Sequence, residues 1–583
     1  MVKKKKTKIN NKVKIILLIL LVISTTLFIK IDSTTIKKEI ENNYQDMYIC
    51  SETELVKIYN LLETEDVLSL IEEQEIARGT KVLDTKTQIT YQSDIYEEII
   101  INNKKYYINQ KNLTLDIKNI VKEQYIYTKS STSILESIGS IKIKGLSKKG
   151  EKLQVIGYDS IDNEGKVNLY KVKVNDIEGY IYGKYTTLTE KEAKENYMPE
   201  VYNNIHSKVK NLYNGGEAIK LDFYPNEKPK FENNIMPESV YALYLNCGSN
   251  VINNIDNYIQ FAKDTKINAF VIDIKDNESP AYPAETFKNL SPTNYKYAIN
   301  SYDSYKNAIR KLQDAGFYVI GRITVFKDSF YVTDHKEDAI INKSTNEPYL
   351  HNGSYWPSAY DRDVWYFNVS LAKEAVEQLG FNEINFDYVR FPDRMNSVQN
   401  IVDLKNIYQE DKTEAIQRFI KYARDVLHSV NAYISVDVFG ETTNSTYTTA
   451  YGQYWPAISN EVDAISGMPY PDHFSAGSYG LAKPWNNPYL LMKYWGSYAN
   501  DRQKEIPTPA VARTWIQAYD VMKYVDRDGI SYGAKELEQE IRGLYESNLT
   551  GGYITWLSNS NLTKYKTQQE AFKIDYRKEY NNE

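Results

Sequence analysis

The stretch INFDYVRFPDRM, residues 384–395, sets one acid, Asp387, inside an apolar run and follows it at once with Arg390 and further charge. A second acid, Asp437, is placed the same way in YISVDVFG, and Glu441 comes just beyond it. Two carboxylates facing each other across a cleft suit hydrolysis of a glycosidic bond. One is protonated and donates to the leaving oxygen, and the other is ionised and attacks the anomeric carbon or activates water. An arginine beside Asp387, either Arg322 or Arg390, favours its ionised form, which makes Asp387 the nucleophile or base. Asp437 is then the acid, provided that a less polar setting beside Phe439 raises its pKa. Glu441 competes for that role because its side chain has the longer reach.

Other polar and aromatic residues gather at the ends of apolar runs. The expected substrate-binding set is Asp273, Lys275, Arg322, Arg390, Tyr470, Trp515, Gln517 and Trp556. Trp515, Trp556, Tyr470 and Trp356 offer apolar faces to sugar rings, while Gln517 and Asp273 can bind hydroxyls. A lone acid at a strand end is more often a helix cap or an ion-pair partner. The weight therefore rests on the ensemble, with its carboxylates on neighbouring runs, and not on any one member.

Positioning such an ensemble requires a scaffold, and the pattern supplies one. From Val240 onward eight strand candidates alternate with helical stretches: VYALYLNCGS, NAFVIDIKD, FYVIGRITVF, EINFDYVRF, YISVDVFG, DAISGMPY, TPAVARTWIQ and GGYITWLS. Between the second and third, Tyr305, Ala308, Ile309 and Leu312 recur at helical spacing, as do Trp365, Val369, Ala372, Val376 and Leu379 between the third and fourth. The expected fold class is α/β, a (β/α)8 barrel over residues 236–565, whose site sits at the C-terminal strand ends. An open doubly wound sheet is the alternative. No glycine-rich phosphate loop follows any strand, which weakens its nucleotide-binding form.

The series FVIDIKD, YVIGRITVFKD, INFDYVRFPD, VDVFG and GMPYP resembles the motifs of a glycoside hydrolase family formerly grouped as a domain of unknown function, with a barrel of the alpha-amylase type. The resemblance covers about three-fifths of the chain, residues 236–565, and ARTWIQAY on the seventh strand resembles the family's R-x-W-x-Q pattern. It implies a (β/α)8 fold and a carbohydrate substrate. It places Asp273, Arg322, Asp387, Arg390 and Asp437 at motif positions, whereas Glu441 has no counterpart there, which favours Asp437 as the acid.

The rest of the chain is organised differently. MVKKKKTKINNKVK carries seven lysines, and Ile15–Ile29 follows with no charge for fifteen residues. No small-residue cleavage site comes after it. An uncleaved anchor is expected, with a cytoplasmic tail at 1–12, a membrane span at 13–31 and the bulk of the chain outside the cell. Residues 33–75 are acidic and helix-prone, a stalk. From Ile76 short β-branched runs alternate with turn residues, and YYINQKNLTL (106–115) aligns without a gap on GYIYGKYTTL (179–188). The segment KGEKLQ…GYIYGKYTTL resembles a bacterial SH3-like domain, assigned to 122–190, with a first, less regular copy at 76–116. That resemblance implies attachment to cell-wall polymer. A linker at 191–235 and a tail at 566–583 complete the division.

Composition excludes several classes. A net charge of −6 without a basic cluster beyond the N-terminus gives no support to a nucleic-acid partner. The two cysteines, Cys50 and Cys247, are too few for a disulfide framework or a thiolate metal cluster. Five histidines, His206, His335, His351, His428 and His473, stand singly without zinc-ligand spacing. His473, just after PYP, could line the cleft. No metal or cofactor is expected. The partners are a polysaccharide or oligosaccharide substrate, the membrane, and wall polymer through the SH3-like units. The rival reading is a glycan-binding or wall-organising protein that keeps the barrel without turnover.

Overall fold

The computed structural model describes residues 44–63 and 68–580. The expected tail and membrane span, residues 1–31, lie outside the described residues; within them no helix is long and apolar enough to cross a membrane. The chain divides into two compact units. One contains the residues up to Ile126 with Lys152–Glu178 and Tyr182–Lys184, and the other contains Tyr127–Glu151, Gly179–Ile181 and the chain from Tyr185 onward.

The first unit holds a seven-stranded sheet in which Gln45–Ile49 and Leu55–Glu63 take part. Over Gln45–Ile49, Leu55–Glu63 and Leu68–Ala77 this corrects the helix-prone stalk expected at 33–75, whose residues 33–43 and 64–67 lie outside the described residues. Val56, Lys57 and Ile58 alternate apolar and polar within LVKIYN, so Val56 and Ile58 point into a core with Ile49, Val82, Ile99 and Ile108, and period two suits a half-buried strand. The small β-unit therefore begins some thirty residues before the expected Ile76. The segment 122–190 is itself shared between the units: the hairpin Lys152–Tyr158 with Leu169–Val174 falls in the first and Thr132–Leu135 with Ile143–Ser147 in the second.

The second unit is built on parallel segments: β1 (Val240–Leu245), β2 (Ala269–Asp276), β3 (Tyr318–Thr324), β4 (Glu383–Asp387), β5 (Tyr433–Phe439), β6 (Ala464–Met468), β7 (Val511–Ala512), β8 (Thr514–Gln517) and β9 (Gly552–Trp556). Each pairs with the next except β7 and β8, which are separated only by Arg513, and β9 returns to β1 through Val240↔Gly552 and Leu243↔Thr555. The result is a nearly closed parallel barrel. Gly552 is required at this closure: its φ of +99° is open to glycine, and a Cβ would run into the Val240 carbonyl.

Helices follow the strands: α1 (Ile255–Lys263), α2 (Tyr302–Asp314), α3 (Arg362–Leu379), α4 (Lys412–Ser429), α5 (Trp455–Glu461), α6 (Pro488–Gln503) and α7 (Ala534–Glu546). The apolar stripes read from spacing on α2 and α3 are the buried faces. Ends are set locally. Ser301 caps α2 by accepting from the Ser304 N–H, Asp361 caps α3, and α3 stops at Gly380 with φ +76°. Residues within the expected linker and tail pack against the barrel. Ala218, Leu221 and Phe223 form a core with Tyr454 and Ala457, and Phe572 stacks on Tyr553.

Alternate residues of each strand face the barrel interior. Val240, Ala242 and Tyr244 of β1, Ala269 and Val271 of β2, and Tyr318 and Ile320 of β3 pack there with Tyr433, Trp515 and Ile554. At the N-terminal end the interior is sealed by charge. Glu383 accepts from Arg513 at 2.7 Å, Ser435 at 2.5 Å and Tyr318 at 2.9 Å, with the pair fully buried. At the C-terminal end the same alternation delivers Asp273, Arg322, Asp387 and Asp437.

Candidate active site

Strand register brings the polar residues together. Asp273 of β2 pairs with Arg322 of β3, Arg322 with Asn385 of β4, and Thr324 with Asp387. Arg322 is the hub. Its Nη1 donates to Asp273 at 2.7 Å and to Asp276 at 3.2 Å, and its Nη2 donates to Asp387 Oδ2 at 2.6 Å. The Tyr244 hydroxyl donates to the second oxygen of Asp273 at 2.5 Å. One guanidinium thus faces three carboxylates, which it cannot all neutralise. Burial raises the Asp273 carboxyl to about 7, with the Asp276 charge adding to this against the pull of Arg322.

Asp387 and Asp437 differ in their surroundings. Asp387 ion-pairs with Arg322 and receives the Tyr388 N–H on Oδ1 at 2.6 Å. Tyr388 takes φ +53°, a left-handed backbone rarely used by an aromatic residue. Asp437 has no arginine partner. Its Oδ1 accepts from Asn385 at 2.8 Å and from the Trp515 indole at 2.7 Å, while its Oδ2 is buried with no hydrogen-bond partner. Burial first, and then the Asp387 charge, push the Asp437 carboxyl well above the usual carboxylate range. The setting of Asp437 therefore favours its protonated form, and Asp387 sits beside the Arg322 guanidinium.

Both line a cavity of about 330 Å³ together with Asp276, Arg322, Arg390, Tyr388, Phe439, Tyr470, His473, Trp515 and Trp556. Of the residues read from sequence, Asp387, Asp437, Arg322, Arg390, Tyr470, Trp515 and Trp556 are thus brought to one place. Five are placed elsewhere. Lys275 is fully buried in an ion pair with Asp328 at 2.6 Å. A bulge between Asp273 and Lys275 on β2 reverses the alternation, so Lys275 turns away from the interior. Gln517 binds the backbone of Asp472 and Tyr519. Asp273 lies behind Arg322, 1 % exposed and outside the cavity lining. Glu441, the competing acid, sits exposed in the turn after β5, accepts from the Tyr451 hydroxyl and lies outside the cavity.

Trp356 is likewise buried and outside the cavity lining, against Tyr388. Trp515 is 1 % exposed, so its indole N–H serves Asp437 and its faces are covered; Trp556, half-buried, is the better platform for a sugar ring. Sequence reasoning missed Asn385 and Tyr244. Both stand two residues from a named acid or on its neighbouring strand with the same inward parity, and that parity was the available signal.

Comparison with known proteins follows the same outline. Residues 240–562 match a family model described as "Putative glycosyl hydrolase domain". Among solved structures, the chain is similar to a hypothetical protein from Ruminiclostridium thermocellum ATCC 27405, with 29 % identity over 34 % of this chain and 97 % of that one, at a TM-score of 0.29. It is also similar to the PgaB (BpsB) glycoside hydrolase domain from Bordetella bronchiseptica, with 13 % identity over 58 % and 99 % of the two chains and a TM-score of 0.41. A class V chitinase from Pseudomonas fluorescens Pf-5 gives 13 % identity over 57 % and 99 %, at 0.35. No curated protein matches the chain.

Proposed function

The chain belongs to the family of putative glycosyl hydrolase domains through residues 240–562, and from that premise we propose that it cleaves glycosidic bonds with Asp437 as acid and Asp387 as its ionised partner. The observation that carries this reading is the asymmetry of the pair: one carboxylate with an arginine at 2.6 Å, the other buried without one and with an unpartnered oxygen. Environments that push two carboxyl groups apart assign acid and base roles. The Asp437 proton resides on Oδ2, because Oδ1 already accepts two N–H donors. It passes to the glycosidic oxygen as the bond to the anomeric carbon breaks. Asp387 attacks that carbon as the bond breaks, or takes a proton from the water that attacks it. Arg322 lies 2.6 Å from Asp387 and compensates its charge in either course, and Trp556 supplies an apolar face for a ring.

The scaffold in this reading is a (β/α)8 barrel whose seventh strand is interrupted at Arg513. The substrate class is a polysaccharide of the cell surface, the wall or the surroundings. The lysine-rich start and the apolar run 15–29 support a membrane anchor with the barrel outside the cell, and the SH3-like resemblance of 122–190 supports contact with wall polymer.

The test is release of reducing ends by the full-length chain from a panel of bacterial surface and wall glycans, with Asp387→Asn in parallel. Release by the parent alone is expected. Binding by both proteins without release by either would assign the barrel to glycan binding instead.

A further inference from the structure

Arg390 is the one arginine of the cavity that the acid pair does not use. Its side chain is 8 % exposed, and its nearest carboxylate, Asp393, stands 4.0 Å away, 41 % exposed and shared with His351 at 3.5 Å. By contrast Arg322, with comparable burial, contacts three carboxylates within 3.2 Å. Arg390 donates from Nη1 to the Phe391 carbonyl at 3.1 Å, a bond that fixes its orientation and offers no counter-charge. Three rings surround the guanidinium, Phe439 at 4.5 Å, Tyr388 at 4.8 Å and Trp356 at 5.1 Å from their centroids.

Rings of this kind hold a cation in place and exclude water from its faces, while leaving its in-plane N–H donors for a partner. A buried charge is costly unless it is paired. In the cavity wall no protein group completes that pairing. Asp276 and Asp387 are already bonded to Arg322, and Asp437 is bonded to Asn385 and the Trp515 indole. The fork of a guanidinium matches the two oxygens of a carboxylate or of a sulfate or phosphate ester.

We propose that the cavity takes an oxyanion of its substrate at Arg390, so that the glycan it acts on is acidic, carrying a carboxylate or sulfate on or beside the sugar at the cleavage site. The inference rests on the glycosidase reading of this cavity and names its substrate class. Arg390 acts as a binding residue, touching the substrate's charged group, while Asp387 and Asp437 act on the bond.

Binding and turnover separate the two claims. The full-length chain is titrated with matched pairs: chitotetraose and its 6-O-sulfated form, and a hyaluronan tetrasaccharide and its carboxyl-reduced form. Affinity is read from tryptophan fluorescence, since Trp515 and Trp556 line the cavity. At least one anionic member is expected to bind about tenfold or more tightly than its neutral partner, as hydrogen bonds to a charged group require. The sulfate and carboxylate arms identify which oxyanion is preferred. Arg390→Met, which keeps the stem among the rings, should abolish the preference, and Arg390→Lys, which keeps the charge without the fork, should retain part of it. Melting temperatures of both variants control for folding. No preference in any pair, or a preference that survives in Arg390→Met, overturns the inference. Cleavage of neutral glycans in that event would leave the glycosidase reading standing.

Discussion

Replacing Asp437 by Asn isolates proton donation from everything else this side chain does. The change is isosteric, and the amide oxygen can still accept from Asn385 and from the Trp515 indole, so the hydrogen bonds at 2.8 and 2.7 Å persist. Only Oδ2, which has no partner, is exchanged for an NH₂ group. At neutral pH the variant should melt no lower than the parent, because a carboxyl raised in the fold must take up a proton that the unfolded chain has released, and the amide need not. Loss of a positioned general acid costs about 10²- to 10⁴-fold in turnover, which is about 3 to 5 kcal/mol on the barrier. That loss applies to leaving groups that need the proton. With an activated aryl glycoside the leaving phenolate departs without one, and the variant should retain most of the parental rate for bond cleavage. The assay is parallel turnover of a natural glycan and of an aryl glycoside of the same sugar. An equal loss on both substrates would remove Asp437 from the acid role, and parental turnover on both would move the chemistry away from it.

Infrared difference spectra at neutral pH should contain a protonated carboxyl band that disappears in Asp437→Asn. In Asp387→Asn that band should titrate away at lower pH, because the like charge that helps to raise Asp437 is gone. Arg322→Met strands buried carboxylates and should destabilise the chain by about 3 to 5 kcal/mol at neutral pH, measured by urea unfolding, with a smaller loss near pH 4.5 where those groups can take protons. Asp273, raised to about 7 in the fold, binds a proton there that the unfolded chain has released. Its contribution is complete below the ordinary carboxylate value and is lost as pH rises to about 7, so Asp273→Asn should flatten that part of the stability profile. At the other end of the barrel, Arg513→Met breaks a fully buried pair with Glu383 and should cost about 3 to 5 kcal/mol. The folded fraction should keep the parental kcat.

The barrel was legible because buried parallel strands are written as continuous apolar runs and the helices between them at a period near 3.6. The acids and arginines at the strand ends were legible as breaks in those runs. What sequence did not carry was the backbone detail that decides where a side chain points. On β2, strict alternation places Lys275 beside Asp273 in the interior, but one extra residue at the bulge turns it out to Asp328 and leaves Asp276 facing the cavity. Gln517 keeps the inward parity of Trp515 yet ends on loop backbone, and loop paths leave no periodic trace. At the N-terminal end, acidic content over 45–63 outweighed the alternation of LVKIYN, although alternation decides burial and hence the strand.

The two ends of the barrel use the same chemical pair in different proportions, and the proportion decides what each end can do. At the bottom, one arginine meets one glutamate, and the remaining lone pairs of Glu383 are taken by Ser435 and Tyr318. Such a pair has no reason to exchange protons or to accept a ligand, and its role is to close the barrel. At the top, one arginine meets three carboxylates, a fourth carboxyl is buried beside them without an arginine, and a second arginine is left without a close anion. An excess of acids over cations favours protonation of the most buried groups, which is the direction in which burial and the Asp387 charge move Asp437. The guanidinium left over is displaced from that cluster into a ring of aromatics, where it cannot relieve the excess. Charge is thus unbalanced in opposite senses within one cavity, and an acidic sugar seated with its oxyanion at Arg390 and its glycosidic oxygen toward Asp437 would meet both imbalances at once.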